Sequence, residues 1–174
     1  MLYIFDGRKP ETGKDTYVSE HAIIIGDVKI GDRCYVGHGA VIRGDYCSIE
    51  IGSGTAVEEG VIIHAPPGRK CLIGESVTLG HGAIIHAGFV GSFSVIGMGA
   101  VLSLGAKVGE GAIVAEGCIV KMKQKIPDKV VVAGNPAKII RQVEPQDIEY
   151  WTLGKQIYID LAKKYLTLGM QPVL

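Results

Sequence analysis

The chain has 174 residues, enough for one domain with a sizeable core. Lys and Arg number 18 and Asp and Glu number 18, so the net charge is zero, which argues against a basic footprint for nucleic acid or a membrane surface. Hydrophobic residues make up 47% and aromatics only 6%, so the core is expected to be aliphatic, and 25 glycines fit a chain that turns often.

Residues 1–17 read as an entry strand and a loop broken by Pro10 and Gly13. They lack a basic start followed by an apolar run, and no segment reaches the ~18 apolar residues of a membrane span. A soluble, cytoplasmic protein is expected. From Val18 an aliphatic residue recurs every six positions, at Val18, Ile24, Ile30, Val36 and Ile42, then, after slips, at Ile51, Val57, Ile63, Ile73, Leu79 and Ile85. After a one-residue deletion it continues at Val90, Ile96, Leu102, Val108, Val114 and Val120. Four places after most of these anchors stands a compact residue, such as Ala22, Cys34, Ala40, Val61, Ala83, Ala100 or Cys118. This is the hexapeptide pattern of a parallel β-helix. Each anchor points inward and its successor outward. Three hexads close one coil, which gives about five coils. Cys34 and Cys118 fill compact inward positions, and Cys47 and Cys71 sit in the slips. With no C-x-x-C pair, reduced thiols are expected.

The repeat places the histidines. Ile42, Ile63, Ile85 and Leu102 are three anchors apart, so Arg43, His64, His86 and Ser103 form one outward column. The Pro66–Leu72 loop absorbs the offset between His64 and His86. Two imidazoles one strand spacing apart can converge on a cation, or they can bond to each other or to a carboxylate. His81 follows Leu79 and Gly80 on another face, near a corner, out of reach of the same metal within its own chain. A threefold trimer would let one copy offer His64 and His86 and its neighbour His81. Asp45 can pair with Arg43 or with a neighbouring subunit, and Arg43 can position an anion. Glu58 lies near the face that offers His81, as a contact for metal-bound water or as a solvated carboxylate. His21 and His38 are expected at exposed corners.

The coils from Val90 to Val120 add length, and Lys121–Gln124 ends the repeat. After Glu144, Pro145 suits a first helical turn, and Ile148, Trp151, Tyr158, Leu161 and Tyr165 space as one apolar stripe. Two units are therefore expected: a β-helix over residues 1–143, and a C-terminal α-helix packed on the prism over residues 144–174.

The motifs IGDVKIG, VIRGD at Val41–Asp45, VIIHA around His64, TLGHGAIIHAG at Thr78–Gly88, IGMGA at Ile96–Ala100 and AGNPAK at Ala133–Lys138 resemble the γ-class carbonic anhydrase family. The resemblance implies an all-β, left-handed β-helix that forms a homotrimer and takes Zn2+, or iron or cobalt, between subunits. It makes His64, His81 and His86 the metal ligands and Arg43 and Asp45 the interface and anion-positioning pair. It also implies hydration of CO2 to bicarbonate by metal-bound hydroxide. Glu58 would orient the water or pass its proton. The chain departs from the family where Ala56-Val57-Glu58-Glu59 replaces the usual Asn-x-Gln-Asp, and it lacks the acidic proton-shuttle loop. The alternatives are a CoA-dependent acyltransferase or thioesterase on the same prism, since AGNPAK occurs there too, and a metal-binding homologue with weak catalysis.

Overall fold

The computed structural model describes residues 1–86 and 88–173. The hexads form a left-handed parallel β-helix with one C-terminal α-helix. Most strands are two or three residues long, because each hexad gives two or three extended residues and then a corner. The long strands Ile23–Ile30 and Val41–Ile51 run round one edge, so two faces merge into a twelve-stranded sheet and the third face is an eight-stranded one.

Parallel pairing joins Leu2, Ile24, Ile42, Ile63, Ile85, Leu102 and Val120 in one inward ladder. That ladder has seven rungs, not about five. Both ends account for the difference: Leu2–Tyr3 and Glu11–Thr12 pair with Ile23–Ile30 and build a first coil that carries no hexad signature, and the repeat does not end at Lys121–Gln124 but runs on through the buried Ile126 and Val132, which pair with Val108 and Val114. The anchors from Ile24 onward are buried, as are the compact residues between them, including Thr55 and Ser94. The core is thus a narrow aliphatic column, and each rung is covered only by its neighbours. The four cysteines are unpaired, and Cys71 points inward.

Backbone polar groups are satisfied between coils, for example Ala56 N–H to Val77 C=O at 2.9 Å and Val95 N–H to Ala112 C=O at 2.9 Å. That stacking explains Gly80, since a Cβ there would lie 2.8 Å from Met98 N and 2.9 Å from Ile96 O, both backbone atoms that cannot yield. Gly82, with φ of 68°, turns the same corner.

The last coil is closed by Lys138–Gln142, which folds back antiparallel onto Val130–Ala133. The helix then runs Pro145–Leu168, with Pro145 in its first turn and a capping box between Glu144 and Asp147. It extends past Lys163 and Lys164, so its last turn carries no basic residue. It packs on the eight-stranded face of its own chain through Trp151, Lys155, Tyr158, Ala162 and Tyr165, while Ile148 is exposed. Among the described residues, no helix is long and apolar enough to cross a membrane.

Candidate metal centre

Arg43, His64 and His86 stand side by side on three successive coils. The Cα register pairs Arg43 with His64 and His64 with His86. The two imidazoles lie almost parallel, 11° apart, with ring centroids separated by 5.3 Å. The loop after His64 takes up the extra residues and leaves this register undisturbed, since Ile63 still pairs with Ile85.

The Arg43 guanidinium donates to Asp45 Oδ2 at 2.5 Å, and Asp45 Oδ1 lies 3.5 Å from His64 Nε2. Burial raises the Asp45 carboxyl, but the Arg43 bond and charge outweigh it and hold it below the usual range. Arg8 steadies the loop from outside, bonding the carbonyls of Asp45 and Tyr46. His64 is lowered by burial first and by the Arg43 charge next, so its ring is held neutral. Its Nε2 is buried and, among the described residues, has no hydrogen-bond partner. A buried ring nitrogen left without a partner is costly, and a neutral imidazole is the form a metal binds. The donor set therefore fits a metal such as zinc.

His81 stands apart from this pair, at the corner between the Thr78–Leu79 and Ile84–His86 strands. Its ring sits between two carboxylates: Nδ1 is 2.8 Å from Glu59 Oε2 and Nε2 is 3.2 Å from Glu58 Oε2. Among the described residues, no three His, Cys, Asp or Glu side chains of one chain are grouped to hold a metal. Glu58 follows an inward anchor and so faces outward, yet it is only 5% exposed because the C-terminal helix covers it. Its Oε2 accepts the His81 backbone N–H at 3.1 Å, and Tyr158 bonds it from the helix. Burial pushes its carboxyl up against the opposing pull of His81. Lys155 is buried on the same helix and bonds Thr78 Oγ1 at 3.2 Å.

The hexad pattern does not single out Glu59, Tyr35 or Lys155, and the helical stripe that includes Tyr158 does not show that it reaches Glu58. Glu59 accepts the Tyr35 hydroxyl at 2.6 Å, a bond that, despite burial, helps keep its carboxyl low. The signal that could have found it is the corner column His38, Glu59, His81, since each stands two places after an anchor. His38 is not a free corner residue either: Ser19 Oγ lies 2.6 Å from its Nδ1, and Tyr165 OH lies 3.4 Å from its Nε2.

The profile of the family described as "Bacterial transferase hexapeptide (six repeats)" matches residues 9–44. Carnitine operon protein CaiE of Salmonella newport is 35% identical over 92% of this chain and 81% of its own length. The chain belongs to the hexapeptide-repeat family. Its relatives there include γ carbonic anhydrase 2, mitochondrial, of Arabidopsis thaliana, 37% identical over 94% of this chain. The chain spans only 60% of that relative's length. Among solved structures, a hexapeptide transferase family protein from Anaplasma phagocytophilum superposes with a TM-score of 0.90 at 32% identity, covering 94% of this chain and 97% of that one. A crystal structure from Bacillus cereus superposes with a TM-score of 0.94 at 29% identity, covering 96% and 97%.

Proposed function

We propose that this chain is a metal-dependent hydratase of the γ carbonic anhydrase type, interconverting CO2 and bicarbonate at the boundaries of a homotrimer. His64 and His86 of one copy and His81 of the next would hold zinc, with iron or cobalt as the other metals this donor set suits. The observation that carries the reading is the orphaned, buried Nε2 of a neutral His64 beside a parallel His86. The plant relative's name agrees with it. Association is supported by an apolar column next to the histidines: Ile23, Ile62 and Ile84 are 41%, 43% and 38% exposed on the face that carries them.

When bound, the metal supplies a Lewis acid that makes water a nucleophile at neutral pH. The chain's own residues prepare the site. Asp45 fixes the Arg43 guanidinium, leaving its other N–H groups to receive a bicarbonate, for which a planar fork of donors is suited. Burial beside Arg43 keeps His64 unprotonated. Glu58 holds the corner by accepting the His81 backbone N–H, and it would be the acid that orients water there.

Metal analysis, subunit mass and a CO2-hydration assay on the same preparation test this. About one zinc per chain, a trimeric mass, hydration above free metal, and loss of the metal in His81→Ala are expected. Turnover of acetyl-CoA by metal-free protein would instead favour the acyltransferase reading, with which the transferase name of the Anaplasma structure is compatible. Bound metal without hydration would leave a metal-binding protein.

A further inference from the structure

We infer that Glu59, anchored by Tyr35, is a positioning residue of this centre: it holds the His81 imidazole in the Nδ1–H tautomer and leaves Nε2 as the atom that meets the metal. The inference rests on the metal-centre reading above and assigns how its third ligand is aimed.

His81 needs such a tether more than the other two histidines do. His64 is fixed by burial and by its stack on His86, with its side chain only 18% exposed. The His81 side chain is 46% exposed, and its neighbours in sequence, Gly80 and Gly82, have no side chains to brace the ring. Glu59 is one coil away at the same corner, as the backbone bond from Gly82 N–H to Glu59 C=O at 2.9 Å shows.

The two oxygens of Glu59 serve different partners. Oε1 accepts from Tyr35 at 2.6 Å, and Oε2 faces His81 Nδ1 at 2.8 Å. An ionised carboxylate has no proton to give, so the proton of that second bond sits on Nδ1. The lone pair of a neutral ring is then on Nε2, which is how an outer carboxylate selects the ligating nitrogen of a histidine. Tyr35 is itself immobile: it is 2% exposed and packs against Tyr17 and Tyr158, with centroids at 5.6 and 5.2 Å. Glu58 has a different task. It accepts the His81 backbone N–H, and its contact with the ring is on Nε2, the nitrogen that must be released for a metal.

The experiment compares wild type, Glu59→Ala and Tyr35→Phe. Imidazole 15N spectra of metal-free protein at about pH 8 report the His81 tautomer. Zinc affinity comes from competition with a chromogenic chelator. We expect Nδ1–H in wild type, loss of that tautomer in Glu59→Ala, and zinc binding about 10–100-fold weaker there. Tyr35→Phe should move both readouts the same way by less, and it serves as the test if Glu59→Ala does not fold. A merely structural Glu59 would change thermal unfolding and leave the tautomer alone, and that result overturns the inference. Wild type that takes up no zinc would instead remove the metal centre, an outcome told apart because the spectra are recorded without metal.

Discussion

Replacing Lys155 by Met should stabilise this protein. The ammonium is carried under the helix, 8% exposed, with Thr78 Oγ1 at 3.2 Å, the Ser94 carbonyl at 3.4 Å and the Trp151 ring centroid at 5.8 Å. Burial lowers it from its ordinary 10.5 to about 8, although the Glu58 charge opposes the fall. At about 1.4 kcal/mol per unit, taking the charged side chain into the fold costs about 3 kcal/mol. Met fills similar space. The Glu58 attraction is already contained in the shift, and the Ser94 carbonyl keeps its bond from Thr78 N–H, so among the hydrogen-bonding groups only the Thr78 hydroxyl loses a partner, at about 1 kcal/mol. A net gain of about 2 kcal/mol at neutral pH follows.

The sign of the pH dependence follows from the same shift. Between about 8 and 10.5 the unfolded chain binds the Lys155 proton and the folded chain does not, so stability rises with pH through that window. Above about pH 10 the hydroxyls of buried Tyr35 and half-buried Tyr158, both raised chiefly by desolvation, reverse the slope. Urea unfolding of wild type and Lys155→Met at about pH 7 and about pH 9.5 measures both effects. A variant less stable than wild type at the lower pH, or one that keeps the wild-type slope, would refute the reasoning.

Ile63→Ala removes a fully buried rung beneath His64 and should cost about 2–5 kcal/mol in urea unfolding, with the loss of metal following the loss of structure. Gly80→Ala should destabilise by more than about 1 kcal/mol and weaken zinc retention, because the added Cβ meets backbone of the next coil beside His81; calorimetry and chelator competition check it. Asp147 is drawn down to about 2 by Arg141, so its contribution is present above its ordinary 3.8 and is lost as pH falls through about 2. Asp147→Asn should therefore unfold more easily than wild type at about pH 5, and the difference should vanish near pH 2.

Counting by sixes located the inward ladder and the His64–His86 pairing, because a solenoid rung constrains both the direction and the register of each side chain. It did not locate the first coil, whose two-residue strands at Leu2–Tyr3 and Glu11–Thr12 are recognised by their pairing with Ile23–Ile30 rather than by their own pattern. Nor did it show that Glu58 is buried. The repeat assigns Glu58 to solvent, and only the docking of Lys155 and Tyr158 from a helix some 100 residues later covers it. Apolar spacing found Trp151, Tyr158 and Tyr165 but passed over Lys155, because a charged residue on the docking face is invisible to a hydrophobic count. Corner residues were the least legible, since inward–outward alternation stops where the chain turns, and Glu59 is one of them.

The reversed strand Lys138–Gln142 also bears on how copies of this protein meet. A stack of parallel rungs is a template on which another chain could keep adding rungs end to end. Here the final edge of the eight-stranded face runs the opposite way, and it presents the exposed side chains of Lys138 and Arg141. The parallel repeat therefore stops at that edge, and an end-to-end copy would meet a reversed, charged strand instead of an open parallel rung.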